Sequence, residues 1–253
     1  MNLFEGGNIW DDVETRFDPS EVGKPLANAT YEILKPLGVS LEVIGSAWKP
    51  RYNSDGSVVP SNDLDAMVDL KILMDKFGTN DSATTRRALA AYLNERNIQT
   101  KLAGITVHSR IPMGGKFYQV DIKVVPNAKN VAQFHRHDIP KGSPYKGVNK
   151  QMMMNTLAST QGMLWSPDEG LYARDSAGKK AQLLSADWDQ IAKYLLGKQA
   201  TGRDLGSVES ILNAIPDEQK RLAVFNAAKD SRSWQSATPT VTEWFRKAMD
   251  MLK

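Results

Sequence analysis

Three aspartates lie inside short apolar runs, where an unpaired charge is unfavourable. Asp63 and Asp65 stand at the start of the run DLDAMVDL, and Asp121 lies within FYQVDIKVV. Burying a lone carboxylate is costly unless something pairs with it. Residues two positions apart on a strand project to the same side of a sheet, so Asp63 and Asp65 should share a face. A carboxylate cluster offers only oxygen ligands, which favours Mg²⁺ or Mn²⁺ and indicates a two-metal phosphoryl-transfer site.

The segments that must position these aspartates alternate between helix and strand patterns. In chain order, the sequence predicts a helix over 25–37, a strand over 39–44, a loop over 47–62, a strand over 64–70, a helix over 83–96 and strands over 103–111 and 117–125. Gly38 is placed to end the first helix, and Pro126 to end the last strand because proline has no N–H for the ladder. This order predicts an α+β catalytic domain with a small mixed sheet over residues 1–126.

The composition changes after residue 126. The segment 127–150 contains one acid, Asp138, and five basic residues: Lys129, Arg136, Lys141, Lys146 and Lys150. Beyond it, apolar periodicity predicts a helix over 151–160, a hairpin over 164–184 and helices over 185–196, 207–214, 217–229 and 240–252. Residues 127–253 are therefore predicted to form a mostly helical C-terminal domain with one hairpin, as the other wall of a substrate-binding cleft.

Bulk composition narrows the class of protein. The chain has 253 residues, a formal charge of +3 and no cysteine, which excludes disulfides, thiolate catalysis and sulfur-ligated zinc. The first residues show no signal-peptide pattern, and no apolar run is long enough to span a membrane. We expect a cytoplasmic protein with no membrane partner.

Three short motifs, taken in order, resemble the signature of the polymerase β-type nucleotidyltransferases. These motifs are Gly45-Ser46, Asp63-Leu64-Asp65 and Val120-Asp121-Ile122. The family signature is an hG[GS] turn, a DhD strand and a later hDh strand, where h is apolar. The resemblance covers residues 23–126. The loop between Ser46 and Asp63 is longer than in the tightest versions of the pattern, which closure entropy tolerates because it grows slowly with length.

The resemblance implies an activity and a role for each motif residue. The chain would transfer a nucleotidyl group from an NTP to a hydroxyl, using two Mg²⁺ or Mn²⁺ ions. Asp63 and Asp65 would ligate both ions, and Asp121 would ligate the ion that activates the hydroxyl. Gly45 would let the backbone approach the phosphates, and Ser46 would donate its hydroxyl and amide to the β- or γ-phosphate.

Four basic residues are candidates for binding the triphosphate. Lys49 and Arg51 follow the Gly-Ser turn and would either reach the phosphates or remain solvated. Lys123 shares a face with Asp121 and would contact phosphate or pair with an acid. Lys150 lies four positions after Lys146, and the alternative for it is a solvated helix face.

The acceptor stays open at this stage. The basic segment favours a nucleic-acid 3′ end, of RNA, tRNA or DNA, and RNA or tRNA is favoured over an antibiotic-like small molecule. A small molecule or a protein side chain remains an alternative. An alternative interpretation gives the three aspartates no chemical role: Asp63 caps a turn, Asp65 is solvated and Asp121 lies on an exposed strand face.

Two other functions compete with nucleotidyl transfer. One is a non-catalytic nucleotide-binding or structural protein, and the other is a Mg²⁺-dependent nuclease. The short, cysteine-free chain also suggests a phage-encoded protein, which would act in the host cytoplasm.

Overall fold

The computed structural model describes residues 9–14, 16–231 and 234. The chain divides into two compact units, Met1–Arg136 and His137–Lys253. The sequence placed this boundary after residue 126, one helix earlier. The helix predicted over 240–252 lies outside the described residues. None of the helices in the described part of the chain has the length and apolar character that crossing a bilayer requires.

A five-stranded sheet organises the first unit. Its strand order is β1-β2-β5-β4-β3. Strands β2 and β5 are parallel, whereas every other neighbouring pair is antiparallel. The unit is a mixed α+β structure, as the sequence predicted. Its elements are α1 (Pro19–Leu34), β1 (Glu42–Val43), α2 (Gly45–Trp48), β2 (Asp63–Asp69), α3 (Leu70–Phe77), α4 (Ser82–Asn94), β3 (Thr100–Ala103), β4 (Thr106–Met113), β5 (Lys116–Val125) and α5 (Ala128–His135).

Helix α1 begins earlier than the sequence indicated. Asp18 caps it, with Oδ1 accepting from the backbone N–H of Ser20 at 2.7 Å. Pro19 occupies the first helical position, where a missing N–H is harmless. Pro25, the predicted start, lies inside the helix. Gly38 ends the short 3₁₀ turn that follows α1, with φ of 75°, as predicted.

Four elements of the first unit were not predicted from the sequence: α2, α3, β3 and α5. Strand β2 leads directly into α3, because the Asp69 carboxylate accepts from the N–H groups of Lys71 and Ile72 at 3.0 and 3.3 Å. The single strand predicted over 103–111 is instead part of a hairpin. The chain reverses at Gly104, whose φ of 55° suits glycine, and β3 pairs antiparallel with β4.

The two faces of the sheet differ in character. Even-numbered residues of β2 and β5 face the main core, where they pack with buried residues of α1 and α4. These core residues are Leu26, Leu34, Leu64, Ala66, Val68, Leu89, Leu93, Val120, Ile122 and Val124. Odd-numbered residues lie on the opposite face, which includes the aspartates at one end and buried Met67 and Val125 further along. Alternation along two adjacent strands thus separates the core from the candidate site.

The second unit combines helices with a small sheet. The hairpin predicted over 164–184 is a three-stranded antiparallel sheet, β6-β7-β8. Asp175 forms the turn between β7 and β8, where its carboxylate accepts from the N–H groups of Ala177 and Lys179. The elements are α6 (Gly147–Ser159), β6 (Met163–Ser166), β7 (Gly170–Arg174), β8 (Lys180–Ser185), α7 (Trp188–Leu196), α8 (Val208–Asn213) and α9 (Glu218–Lys229).

Candidate active site on the parallel strands

The three aspartates lie together on the odd-numbered face of the parallel strands. In the β2–β5 register, Asp65 stands directly opposite Asp121, and Asp63 stands opposite Gln119. Neighbouring strands are about 4.8 Å apart, so all three carboxylates arise from one small patch. Strand alternation predicted that Asp63 and Asp65 share a face, and the parallel pairing adds Asp121 to them.

This patch carries unbalanced negative charge. The pKa of Asp63 is raised to about 7, first by burial and then by repulsion from Asp65 and Asp121. The positive charges of Lys123 and His108 oppose that rise in the pKa. Asp121 is only 8% exposed, so the alternative of an exposed strand face is wrong for it.

Lys123 neutralises part of the patch. Its Nζ lies 3.1 Å from Oδ1 of Asp65, with both side chains mostly buried. Lys123 is two positions after Asp121 and therefore shares its face, as alternation predicts. Of the two roles anticipated for this lysine, the structure contains the pairing with an acid.

Asp121 is held by two donors that the sequence analysis missed. Its Oδ1 lies 2.8 Å from Nδ1 of His108 and accepts from Nε2 of Gln119 at 3.0 Å. Gln119 was detectable in principle, because it lies two positions before Asp121 on the same face. His108 was detectable as well, because the two-residue turn Gly114-Gly115 sets Met113 opposite Lys116 and therefore His108 opposite Asp121.

Gly45 brings the Gly-Ser turn against the carboxylates. Its φ is 64°, a left-handed conformation that favours glycine. A Cβ placed on Gly45 would lie 3.1 Å from Oδ2 of Asp65. The N–H of Ile44 donates to the backbone oxygen of Asp65 at 3.0 Å, which fixes the turn beside the strand. The missing side chain therefore allows a close approach to an aspartate, whereas the sequence analysis expected an approach to phosphate.

Ser46 is connected to the start of β2 through another serine. Its Oγ donates to Oγ of Ser61 at 2.7 Å, and Ser61 Oγ donates to the backbone oxygen of Asp63 at 2.9 Å. The Ser46 hydroxyl, which we expected to donate to a phosphate, therefore donates to Ser61 instead. A phosphate contact through this hydroxyl would require it to rotate away from Ser61.

The two loop cations differ in their surroundings. Lys49 is exposed at the end of α2. Arg51 is partly buried, and its buried Nε has no hydrogen-bond partner in the described part of the chain. Burial lowers the pKa of the Arg51 guanidinium below its usual value. Of the two, Arg51 has the environment of a group that would gain from an anion.

Lys150 does not lie on a solvated helix face. It belongs to the second unit and is 1% exposed, with Nζ 5.3 Å from the centre of the Trp188 ring. Burial lowers the pKa of Lys150 to about 7. Helix α6 begins at Gly147, so Lys146 caps it rather than sharing a helical face with Lys150.

The basic segment is not a continuous exposed patch either. The Arg136 guanidinium pairs with Glu42 at 2.9 Å and lies 3.9 Å from the centre of the Trp48 ring. Lys129, Lys141 and Lys146 remain exposed. The charge argument for a nucleic-acid acceptor therefore depends on three basic residues of the segment rather than five.

The carboxylates fit divalent cations by donor type and charge rather than by their present geometry. Among the described residues, no three His, Asp or Glu side chains are arranged to hold a metal ion. Lys123 and His108 instead contact Asp65 and Asp121. The raised pKa of Asp63 marks a site that a further cation would stabilise. Metal binding would require Lys123 and the carboxylates of Asp63 and Asp65 to change conformation, whereas Asp121 is held in place through Oδ1 alone.

Comparison with known proteins adds no family to this description. No protein-family model and no curated protein matches the sequence. The functional assignment therefore depends on the residues and contacts of the site.

Proposed function

We propose that the chain is a Mg²⁺- or Mn²⁺-dependent nucleotidyltransferase that moves an NMP from an NTP to a hydroxyl acceptor. One observation carries the proposal: Asp65 and Asp121 stand in register on parallel strands, with Asp63 on the same face. The Gly45 turn packs directly against this cluster. A mixed sheet with a Gly-Ser turn beside two acidic strands supports a polymerase β-type nucleotidyltransferase fold for the first unit.

The carboxylates are the groups that would hold the ions. Asp63 and Asp65 would bind both of them, and Asp121 would complete the site nearest the acceptor. When bound, two divalent ions offset charge on the triphosphate and lower the pKa of the attacking hydroxyl. The pKa of about 7 at Asp63 supports such a role, because a cation favours the ionised carboxylate that repulsion from Asp65 and Asp121 now opposes.

The phosphates would be bound by the turn and the loop that follows it. Ser46 offers its backbone N–H at the start of α2, and Arg51 offers a guanidinium whose Nε is buried and unpaired among the described residues. A phosphate oxygen would give that Nε an acceptor, which removes the penalty of a buried unsatisfied donor. Lys49 would add charge at the exposed side, and Lys123 would shift from Asp65 towards phosphate.

The reaction itself requires little beyond this arrangement. A new bond forms between the acceptor oxygen and the α-phosphorus, the bond to the β-phosphate bridge breaks, and pyrophosphate leaves. The acceptor proton passes to solvent. Exposed Lys129, Lys141 and Lys146 follow in sequence the strand that carries Asp121, which supports a nucleic-acid 3′ hydroxyl as the acceptor.

A non-catalytic nucleotide-binding protein is the second candidate. The observation that favours it is the internal pairing of two of the three acids, Asp65 with Lys123 and Asp121 with His108. In a protein that binds no metal ions, such pairs would stabilise the carboxylates in place of the ions. It would still bind an NTP at the Gly45 turn.

The test separates these candidates in one set of samples. The protein is incubated with α-³²P-labelled NTPs and Mg²⁺ or Mn²⁺, together with pooled tRNA and short oligonucleotides. The Asp63→Asn/Asp65→Asn variant is the control. Label on an acceptor with the wild type alone supports transfer. NTP binding without transfer to any acceptor supports the second candidate, and cleavage of nucleic acid without NTP indicates a nuclease.

A further inference from the structure

The carboxylate of Asp121 is bound through one oxygen only. Oδ1 contacts both Nδ1 of His108 and Nε2 of Gln119, at 2.8 and 3.0 Å. Oδ2 has no hydrogen bond or ion pair with any described residue. Two donors on one oxygen fix the side-chain rotation of Asp121 and leave the other oxygen available as a ligand.

The backbone of Ile9 in turn orients the Gln119 side chain. The backbone N–H of Ile9 donates to Oε1 of Gln119 at 2.9 Å. A backbone N–H can only donate, and an ionised carboxylate can only accept. The amide therefore has one orientation that satisfies both neighbours, with Oε1 towards Ile9 and Nε2 towards Asp121.

The N-terminal strap, which we define as residues 9–14, is attached to the sheet along its length. The N–H of Glu14 donates to the backbone oxygen of Phe117 at 2.7 Å, and Lys116 pairs with the Glu14 carboxylate at 3.1 Å. Asp12 pairs with Arg110, whose guanidinium stacks on the Phe117 ring. At the other end, Lys101 donates to the backbone oxygen of Ile9. These contacts hold the Ile9 N–H in place beside Gln119.

We infer that Gln119 and His108 are positioning residues for Asp121, and that the N-terminal strap acts on the site through Gln119. This inference rests on the proposed function, because it assigns Oδ2 of Asp121 to the cation nearest the acceptor. Groups that orient a metal ligand in this way usually change metal affinity or activity about 10- to 100-fold when they are replaced.

Substitutions that preserve shape give the sharpest test. Gln119→Glu keeps an acceptor for the Ile9 N–H but turns a carboxylate oxygen towards Asp121. Ile9→Pro removes the N–H, and Ile9→Ala keeps it. The Asn amide nitrogen occupies the position of His Nδ1 and the Gln nitrogen that of Nε2, so His108→Asn should retain the contact with Asp121 and His108→Gln should lose it.

The functional measurements are Mn²⁺ affinity, followed by titration with electron paramagnetic resonance, and separate kcat and KM values for the NTP. We expect Gln119→Glu, Ile9→Pro and His108→Gln to weaken Mn²⁺ binding and lower kcat about 10- to 100-fold. Their KM should stay within about two-fold of the wild type, because the Gly45 turn is unchanged. Partial or full recovery is expected in His108→Asn and Ile9→Ala. Equal losses in His108→Asn and His108→Gln would contradict the positioning role.

A structural measurement keeps this inference distinguishable from the proposed function. The side-chain NH₂ resonances of Gln119 are identified in ¹⁵N spectra by their absence from Gln119→Glu. They should shift in Ile9→Pro and stay in place in Ile9→Ala. A wild type that neither binds Mn²⁺ nor transfers a nucleotide overturns the proposed function. Unshifted Gln119 resonances in Ile9→Pro overturn the inference, whatever the activity.

Discussion

Replacing Asp63 with asparagine should stabilise the first unit at neutral and alkaline pH. Asp63 is the carboxyl whose pKa rises most clearly in the folded protein, from 3.8 to about 7. Burial is the main cause, and the charges of Asp65 and Asp121 add to it. Asparagine has nearly the same shape and no charge, so it removes the penalty without opening a cavity.

The size of the effect follows from the shift in pKa. A rise of about 3 units at about 1.4 kcal/mol each corresponds to about 4 kcal/mol of unfolding free energy. Below pH 3.8 both folded and unfolded states are protonated, and no penalty exists. Between pH 3.8 and about 7 only the folded state keeps the proton, so stability falls as the pH rises. Above pH 7 the whole penalty is present, and Asp63→Asn should raise the melting temperature by about 8–16 °C.

The assay is thermal unfolding of the wild type and Asp63→Asn from pH 5 to pH 9, without and with Mg²⁺. Asp75→Asn is the matched control, because Asp75 is exposed and its substitution changes the net charge by the same amount. The gap between wild type and Asp63→Asn should open as the pH rises towards 7. Mg²⁺ should raise the melting temperature of the wild type more than that of the variant.

Two results would refute this reasoning. If Asp63→Asn melts below the wild type at pH 8, the carboxylate is stabilised rather than strained by its neighbours. If the difference between the two proteins is the same at pH 5 and pH 8, ionisation of Asp63 is not its cause.

Three further predictions concern the same site and the buried lysine. Lys123→Met removes the cation 3.1 Å from Asp65. The free energy of unfolding at pH 8 should fall by about 1–3 kcal/mol, because the Asp65 carboxylate loses its partner. Urea unfolding with and without Mg²⁺ measures the loss, and a variant as stable as the wild type would contradict the prediction. Gly45→Ala forces a side chain into a left-handed conformation 3.1 Å from Asp65 Oδ2, so it should cost about 1–2 kcal/mol and weaken NTP binding; calorimetric titration with an NTP tests this, and unchanged affinity would argue against the turn as the phosphate site. Burial lowers the pKa of Lys150 to about 7, so at pH 6 the folded protein contains a buried charged lysine. Lys150→Met should therefore raise the melting temperature at pH 6, and this gain should shrink as the pH rises from 7 towards 10. A gain that is constant with pH would exclude ionisation of Lys150 as its cause.

Local sequence was sufficient to predict the aspartate strands. Asp63 and Asp65 alternate with buried Leu64 and Ala66, and this period of two requires one polar and one apolar face. The end of the α1 region at Gly38 was also predictable, because few residues other than glycine adopt its φ of 75°. In both cases the signal lies within a few neighbouring residues.

Helix starts were less predictable because capping competes with pattern. Asp69 was predicted inside a strand, and it is the last residue of β2. Its carboxylate also accepts from two backbone N–H groups and so begins α3. Pro25 reads as a helix start, yet Asp18 and Pro19 begin α1 a full turn and more before it. Where a residue suits two backbone conformations, the packing around it decides which of the two it adopts.

Local sequence predicted one part of the candidate site, namely the residue types that it contains. These are three carboxylates in apolar strands, a glycine beside a serine, and several basic residues. Alternation also determined that Asp63 and Asp65 share a face.

Only the tertiary structure decided which of these groups meet. The β4–β5 hairpin is the exception, because its Gly114-Gly115 turn already sets His108 opposite Asp121. Parallel pairing of β2 with β5, which no short turn connects, sets Asp65 opposite Asp121. The N–H of Ile9 reaches Gln119 across 110 positions of sequence. The order of the strands and the pairing of β2 with β5 arise from the packing of the whole sheet, because alternation shows which face of a strand is buried but not which distant strand lies beside it.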